Sequence, residues 1–164
     1  MSQQQPLLPD PNLHIVLVAP EIAPNTGNIA RTCAALGLRL HLVRPLGFVL
    51  TERALRRAGM DYWHRVDVQI HDGWEAFLTA VPDPAFYAMT SSAPRLYTEA
   101  SFRQGDVLLF GSESTGLPPE LIAAAGDRAL RIPMRPGERS LNLASAVAVV
   151  AYAAMHHLGF PGVE

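Results

Sequence analysis

Short runs of consecutive apolar residues recur along this 164-residue chain, and each run ends in a loop of Gly, Pro or small polar residues. Residues 13–18 follow this pattern, and residues 38–43, 85–89, 106–110 and 129–132 are predicted as further strands. Unbroken apolar runs of this length are typical of strands that are buried on both faces of a sheet. Amphipathic or Ala-rich segments separate them, so the sequence predicts an α/β domain with a mostly parallel sheet and helices on both faces.

The remaining elements follow from periodicity and from helix start and stop signals. We expect a further strand over residues 66–70. Helices are expected from residue 25 or 26 to residue 36, and over residues 51–58, 74–80, 118–125 and 142–157. Either Asn25 or Thr26 is suited to cap the first helix, and Gly37 is suited to end it.

The bulk composition excludes several classes of protein. Hydrophobic residues make up 49% of the chain and charged residues 17%, which argues against disorder. The first 12 residues are rich in Gln and Pro and are expected to form a flexible leader, so residues 13–164 are expected to form a single domain. One Cys allows no internal disulfide, the six His show no metal-ligand spacing, and no signal peptide or membrane span is visible. We therefore expect a cytoplasmic protein with no metal and no membrane contact.

The last predicted helix is apolar on every side. Nearly all residues from 143 to 155 are apolar, and many are Ala. A helix of this kind is buried all round, so in a domain this small we expect one face to meet a second copy of the chain. A helix enclosed in the core of its own chain is the alternative.

The first motif follows the first predicted strand and contains Asn28 and Arg31. These residues are three apart, so they share one face of the predicted helix. A guanidinium group binds phosphate through several donors, and the N-terminus of a helix favours an anion. A capped helix with one surface Arg is the alternative.

The second motif contains Gly111, Glu113 and Gly116, directly after the strand at residues 106–110. No Lys-Ser or Lys-Thr pair follows Gly116, and the glycine spacing of dinucleotide-binding proteins is absent. The glycines would allow the backbone to approach a flat ligand, and Glu113 could accept a hydrogen bond from it or pair with an Arg. An ordinary strand-to-helix turn is the alternative.

The third motif contains Ser140 and Asn142, which precede the last helix. Either residue is suited to cap that helix, and a capping residue beside a ligand loop can also contact a substrate. No Asp and His stand nearby to activate Ser140, so a hydrolase triad is not supported.

The net charge of −2 gives no overall attraction to nucleic acid, so RNA binding would need a local basic surface. Arg53, Arg56 and Arg57 fall on one side of the helix predicted over residues 51–58 and form the best candidate. A solvated helix face is the alternative.

Taken in order, the three motifs resemble those of the SPOUT class of RNA methyltransferases, and within it the tRNA (cytidine/uridine-34)-2′-O-methyltransferases. The matching segments are residues 24–31, 108–118 and 131–144. The resemblance implies an α/β knot, in which the C-terminal part of a parallel-sheet domain is threaded through a loop as a trefoil. It also implies a homodimer whose sites use groups from both subunits.

The same resemblance implies that S-adenosylmethionine is the cofactor and that the reaction is methyl transfer to a ribose 2′-hydroxyl of tRNA, at wobble nucleotide 34. Motif matching implies cofactor binding by Met89, Gly111, Glu113, Ile132, Met134, Ser140 and Leu141. The reaction is expected to involve Arg31, Ser140 and Asn142. The RNA is expected to contact Asn28, Arg31 and the basic helix with Arg53, Arg56 and Arg57.

Arg31 keeps its proton and is therefore a poor base, so we expect it to hold a phosphate and stabilise negative charge on the reacting oxygen. The chain departs from the family pattern at Ser112, Ser114 and Thr115, where relatives often carry Pro, Thr and Arg; a basic group near the cofactor loop is thus missing. A nucleotide-dependent oxidoreductase, a methyltransferase for another tRNA or rRNA position and a non-catalytic RNA-binding module are the alternative functions.

Overall fold

A computed structural model describes residues 8–60 and 63–164 of the chain. Within these residues the strands are β1 (His14–Val18), β2 (Arg39–Val43), β3 (Val68–His71), β4 (Phe86–Met89), β5 (Arg95–Leu96), β6 (Val107–Phe110) and β7 (Ala129–Arg131). The helices are α1 (Ala23–Leu36), α2 (Glu52–Arg57), α3 (Trp74–Ala80), α4 (Pro119–Ala125) and α5 (Leu143–Leu158).

The seven strands form one parallel sheet in the order β3-β2-β1-β6-β4-β7-β5. From β1 the chain continues towards β2 on one side, whereas from β6 it continues towards β7 on the other side. Loops that diverge in this way open a crevice at the carboxyl edge of a parallel sheet. At the far side of the sheet, β7 lies between β4 and β5, which are consecutive in the chain.

Alternate side chains of β1, β4 and β6 enter two separate cores. Ile15 and Leu17 pack on the face that α1 and α5 cover, whereas Val16 packs on the opposite face against Phe77 of α3 and Leu121 of α4. Helices on both faces confirm the predicted α/β architecture. They also explain why the strands are apolar at successive positions.

The first helix begins earlier than predicted. It starts at Ala23 with Pro24 in its first turn, where a missing N–H leaves no hydrogen bond unmade. Asn25 and Thr26 therefore lie inside the helix, and the prediction that one of them caps it is wrong. Gly37 adopts a left-handed conformation with φ 68° and ends α1, as predicted.

Strand β5 was not predicted. It has two residues, Arg95 and Leu96, which pair with Leu130 and Arg131 of β7. Two residues are too few to show an apolar run or an alternation, so only the neighbouring strand reveals it.

The expected leader lies partly outside the described residues, which begin at residue 8. Its last residue is held against the domain: the side-chain amide of Asn12 donates to the carbonyl oxygens of Leu36, at 3.1 Å, and Pro161, at 2.9 Å.

Helix α5 has one covered face and one uncovered face in the single chain. Val150, Ala154 and Met155 are fully buried, whereas Val149 is 37% exposed and Tyr152 is 48% exposed. The helix is therefore not enclosed in the core of its own chain, contrary to that alternative. No helix among the described residues has the length and apolar character needed to cross a bilayer.

Three histidines form a hydrogen-bonded row across neighbouring strands. Nδ1 of His14 lies 2.8 Å from Nε2 of His41, and Nδ1 of His41 lies 2.9 Å from Nε2 of His71. The edge of Phe77 packs against His41 and His71. A single proton fits between each pair of nitrogens, so the intact row excludes full protonation of all three rings.

Burial disfavours the charged form of these rings. It lowers the pKa of His14 to about 4, with a further lowering by the neighbouring Arg39. Burial also lowers the pKa of His41 well below its usual value, and the adjacent His14 and His71 add to this. The pKa of His71 is lowered by burial as well.

We predict that the free energy of unfolding decreases as the pH falls from about 6.5 towards 4. In this window the His rings bind protons in the unfolded chain but not in the folded chain. The contribution of the neutral rings to stability is therefore fully present above the unfolded pKa and is lost on acidification. Each ring contributes a slope of up to about 1.4 kcal/mol per pH unit. Urea unfolding at a series of pH values measures this pH dependence of the free energy of unfolding.

The matched variants are His14→Gln, which removes one ring of the row, and His64→Gln, which removes an exposed ring. His14→Gln should make the free energy of unfolding less dependent on pH, whereas His64→Gln should leave this dependence unchanged. A slope in His14→Gln equal to that of the wild type would contradict this account of the row.

Candidate functional site

A cavity of about 580 Å³ opens at the carboxyl edge of the sheet, beyond β4, β6 and β7. Its walls come from the loops that follow these three strands, from the start of α5 and from the start of α1. The parallel sheet accounts for this convergence, because it delivers the end of every strand to the same edge.

The residues that the family resemblance assigns to a cofactor all lie at this cavity. They are Met89, Gly111, Glu113, Ile132, Met134, Ser140 and Leu141, and Asn142 lies there as well. The structure thus brings together side chains that are up to about fifty residues apart in the chain. The second and third motifs thus line one cavity.

The loop after β6 folds back on itself, and this explains its first glycine. A Cβ atom at Gly111 would lie 2.0 Å from the carbonyl carbon of Gly116 and 2.1 Å from the nitrogen of Leu117. Gly116 has φ +70°, and its N–H donates to the carbonyl oxygen of Ser112 at 3.0 Å. Gly111 is therefore required by the closure of the loop itself.

Hydroxyl groups stiffen the same loop at the positions where the chain departs from the family pattern. Ser112 Oγ lies 2.7 Å from Thr115 Oγ1, and the N–H of Thr115 donates to Ser112 Oγ at 3.3 Å. A Ser–Thr pair thus closes the loop at the position where the family resemblance predicts a basic residue.

Glu113 presents one carboxylate oxygen that is bound and one that is not. Oε2 accepts a hydrogen bond from the backbone N–H of Glu21 at 2.7 Å. Oε1 is buried and has no hydrogen-bond partner among the described residues. A buried acceptor at the wall of a cavity is expected to meet a donor, so this oxygen is suited to a ligand N–H or O–H group.

Asn142 joins the third motif to the first. Its Oδ1 accepts from the N–H groups of Ala144, at 2.9 Å, and Ser145, at 3.3 Å, so Asn142 caps α5 as one of the two predicted choices. Its amide nitrogen donates to Oδ1 of Asn25 at 3.0 Å. Asn25 is buried and lines the cavity, whereas the sequence pattern predicts only a capping role for it.

Asn28 and Arg31 lie outside this cavity. Both are exposed on α1, one turn apart, and Arg31 is about 9 Å along the helix axis from Asn25. The shared helix face is therefore confirmed, but the single chain does not place Arg31 among the residues that line the cavity.

The basic helix is also separate from the cavity. Arg53, Arg56 and Arg57 are exposed on α2, and Arg56 donates to Glu52 at 2.6 Å. Both side chains of this pair are largely solvated, so the pair contributes little to stability. The three arginines form an exposed basic surface, as the spacing predicted.

The described residues contain no group of three or more His, Cys, Asp or Glu side chains that could hold a metal ion. Cys33 is fully buried in α1, and burial raises the pKa of its thiol, so it is not a nucleophile at neutral pH. Amide, hydroxyl, carboxylate and backbone groups line the cavity.

Comparison with known proteins agrees with this geometry. Residues 12–152 match the model of the SpoU rRNA Methylase family. A tRNA (cytidine(34)-2′-O)-methyltransferase from Burkholderia ambifaria is 46% identical over 152 residues, which cover 91% of this chain and 97% of the relative.

Two solved structures share the fold. One, described as giving structural insights into the 2-OH methylation of C/U34 on tRNA, has a TM-score of 0.83 and 52% identity, and the match covers 90% of this chain and 96% of the other. The other, an AdoMet-bound rRNA methyltransferase from Sinorhizobium meliloti, has a TM-score of 0.72 and 25% identity, with coverages of 91% and 57%. With a family match over most of its length and relatives of this similarity, the chain belongs to the SpoU rRNA Methylase family.

Proposed function

We propose that this chain is a tRNA 2′-O-methyltransferase that transfers a methyl group from S-adenosylmethionine to the ribose of nucleotide 34. The observation that carries the proposal is the convergence of three separate loops on one cavity, in a chain that is 46% identical to a tRNA (cytidine(34)-2′-O)-methyltransferase. The neighbouring structure on C/U34 methylation supports the same nucleotide. Because tRNA is the substrate, we place the enzyme in the cytoplasm.

The residues at the cavity fit the cofactor. Met89, Ile132 and Leu141 provide apolar surface for a flat base, and the size is within the range of small-molecule sites. Ser140 and Oε1 of Glu113, which has no hydrogen-bond partner in the described part of the chain, provide polar contacts for the hydroxyl and amino groups. The AdoMet-bound family neighbour supports this assignment. When bound, S-adenosylmethionine supplies an electrophilic methyl group on a sulfonium sulfur.

The side chains of this enzyme contribute mainly by positioning. A transfer of this kind requires the attacking oxygen to lie in line with the methyl group, and correct placement removes much of the barrier. We assign Arg31 to hold the phosphate next to the target ribose and to stabilise negative charge on the 2′-oxygen. Ser140 and Asn142 are assigned to orient the ribose. Asn28 and the surface formed by Arg53, Arg56 and Arg57 are assigned to hold the rest of the tRNA.

Two copies of the chain are part of the proposal. Val149 and Tyr152 form an uncovered apolar face on α5, and Ile22 and Leu141 beside the cavity are 46% and 41% exposed. A second copy would cover this surface and bring its own α1 to the cavity, which would supply the Arg31 that one chain does not place there. We also propose that the C-terminal segment is knotted; the insertion of β7 between the consecutive strands β4 and β5 supports such threading.

We predict that Gly111→Ala abolishes cofactor binding. The added Cβ would collide with the backbone of Gly116 and Leu117, so the loop after β6 could not close. Isothermal calorimetry with S-adenosylhomocysteine measures the loss. Gly73→Ala is the matched control, because its backbone is extended and its Cβ would meet nothing within 4 Å. Binding by Gly111→Ala at the wild-type affinity would contradict the proposed site.

We predict that Arg31→Ala loses methyl transfer but binds the cofactor normally. We also predict that two inactive variants, Arg31→Ala and Gly111→Ala, regain activity when they are mixed and form dimers with each other. In a random mixture half of the dimers are mixed, and each of these has one intact site if Arg31 acts on the other subunit. Activity should then recover to about one quarter of the wild-type value. Tritiated methyl transfer to unmodified tRNA measures it; no recovery would mean that Arg31 serves the site of its own chain.

We predict that deletion of the gene removes 2′-O-methylation from nucleotide 34 of specific tRNAs. Mass spectrometry of digested tRNA from the deletion strain should show the unmethylated wobble nucleotide, and a plasmid with the wild-type gene should restore the methyl group. Loss of a methyl group from rRNA, with nucleotide 34 unchanged, would contradict the prediction and would identify rRNA as the substrate.

A further inference from the structure

Glu21 and the loop after β6 hold each other by hydrogen bonds in both directions. Oε1 of Glu21 accepts from the backbone N–H of Ser114 at 3.2 Å and also from the Ser114 hydroxyl. In return, the backbone N–H of Glu21 donates to Oε2 of Glu113 at 2.7 Å. We call this arrangement the Glu21 clasp. It crosses the crevice between the ends of β1 and β6, where the two loops would otherwise diverge.

The backbone fixes the conformation from which Glu21 reaches across. Ala19 adopts φ +52°, which a residue with a side chain rarely does. The N–H of Gly47 donates to the carbonyl oxygen of Pro20 at 2.9 Å, and a Cβ at Gly47 would lie 2.7 Å from Cα and O of Glu21. The segment that carries Glu21 thus packs closely against the loop after β2.

The clasp joins two parts of the proposed active site. On one side, Glu113 and Ser114 line the cavity, and the bond to Oε2 leaves Oε1 of Glu113 as the oxygen available to a ligand. On the other side, α1 begins at Ala23, two residues after Glu21, and continues to Arg31. A restraint on Glu21 therefore acts on the segment that leads directly into α1, and the stiff helix carries it towards Arg31.

The carboxylate of Glu21 is suited to this task although it is exposed. The hydrogen bonds from the side chain and backbone of Ser114 lower the pKa of Glu21, so the acceptor stays ionised at neutral pH. The loop that it holds is stiffened by the Ser112–Thr115 hydroxyl pair, so one attachment point restrains the whole loop.

We propose that Glu21 is a positioning residue for methyl transfer, because its clasp on Ser114 holds the cofactor loop at a fixed distance from the start of α1. The inference rests on the proposed function. It adds a specific role for a residue that lines neither the cavity nor the basic surface.

The test compares Glu21→Ala with Glu21→Gln, and Ser114→Ala with Ser114→Thr. The first member of each pair removes the clasp, whereas the second keeps an acceptor oxygen or a hydroxyl. We expect Glu21→Ala and Ser114→Ala to lower kcat by roughly tenfold to a hundredfold, the range for a misplaced reacting group, with little change in melting temperature or in KM for tRNA. Glu21→Gln and Ser114→Thr should recover most of the rate.

The double variant Glu21→Ala/Ser114→Ala should be no slower than the slower single variant, because both changes remove the same interaction. Glu75→Ala, which removes an exposed carboxylate from α3, is the control and should keep the wild-type kcat. A wild-type kcat in Glu21→Ala, additive effects in the double variant, or a rate loss explained wholly by weaker cofactor binding or a lower melting temperature would overturn the inference. A wild-type enzyme that methylates no tRNA would instead refute the proposed function.

Discussion

Parallel strands place all of their carboxyl ends at one edge of a sheet, and this constraint determines where the chain can assemble a site. The loops after β4, β6 and β7 are far apart in sequence, yet they meet because their strands are neighbours that point the same way. The order of the strands reverses between β1 and β6, so the loops there separate and leave a crevice. The Glu21 clasp bridges this crevice, and the Asn25–Asn142 bond joins the starts of α1 and α5.

Much of this fold is readable from the sequence, for a physical reason. Strands covered on both faces must be apolar at successive positions, so the runs at residues 13–18 and 106–110 are visible without any alignment. Helix signals are similarly local: the helix predicted over residues 74–80 has those bounds in the structure, and Asn142 caps α5. The residues expected at a cofactor were found through motifs, and the sheet explains why those motifs share a cavity.

The features that the sequence did not reveal depend on partners far along the chain. Asn25 and Asn142 are 117 residues apart, and Glu21 and Ser114 are 93 apart, so no local pattern announces either bond. The start of α1 was misplaced because Asn25 resembles a capping residue, whereas its side chain is engaged by α5. The row of histidines likewise exists only because three strands lie side by side.

The central claim is that the loops after β4, β6 and β7 and the start of α5 form the binding site for the methyl donor. A crystal structure of the protein with S-adenosylhomocysteine tests this most directly. The account predicts density for the ligand in this cavity, with Ser140 and the free oxygen of Glu113 at hydrogen-bonding distance. Density for the ligand at another place on the chain, with this cavity unfilled at saturating concentration, would contradict it.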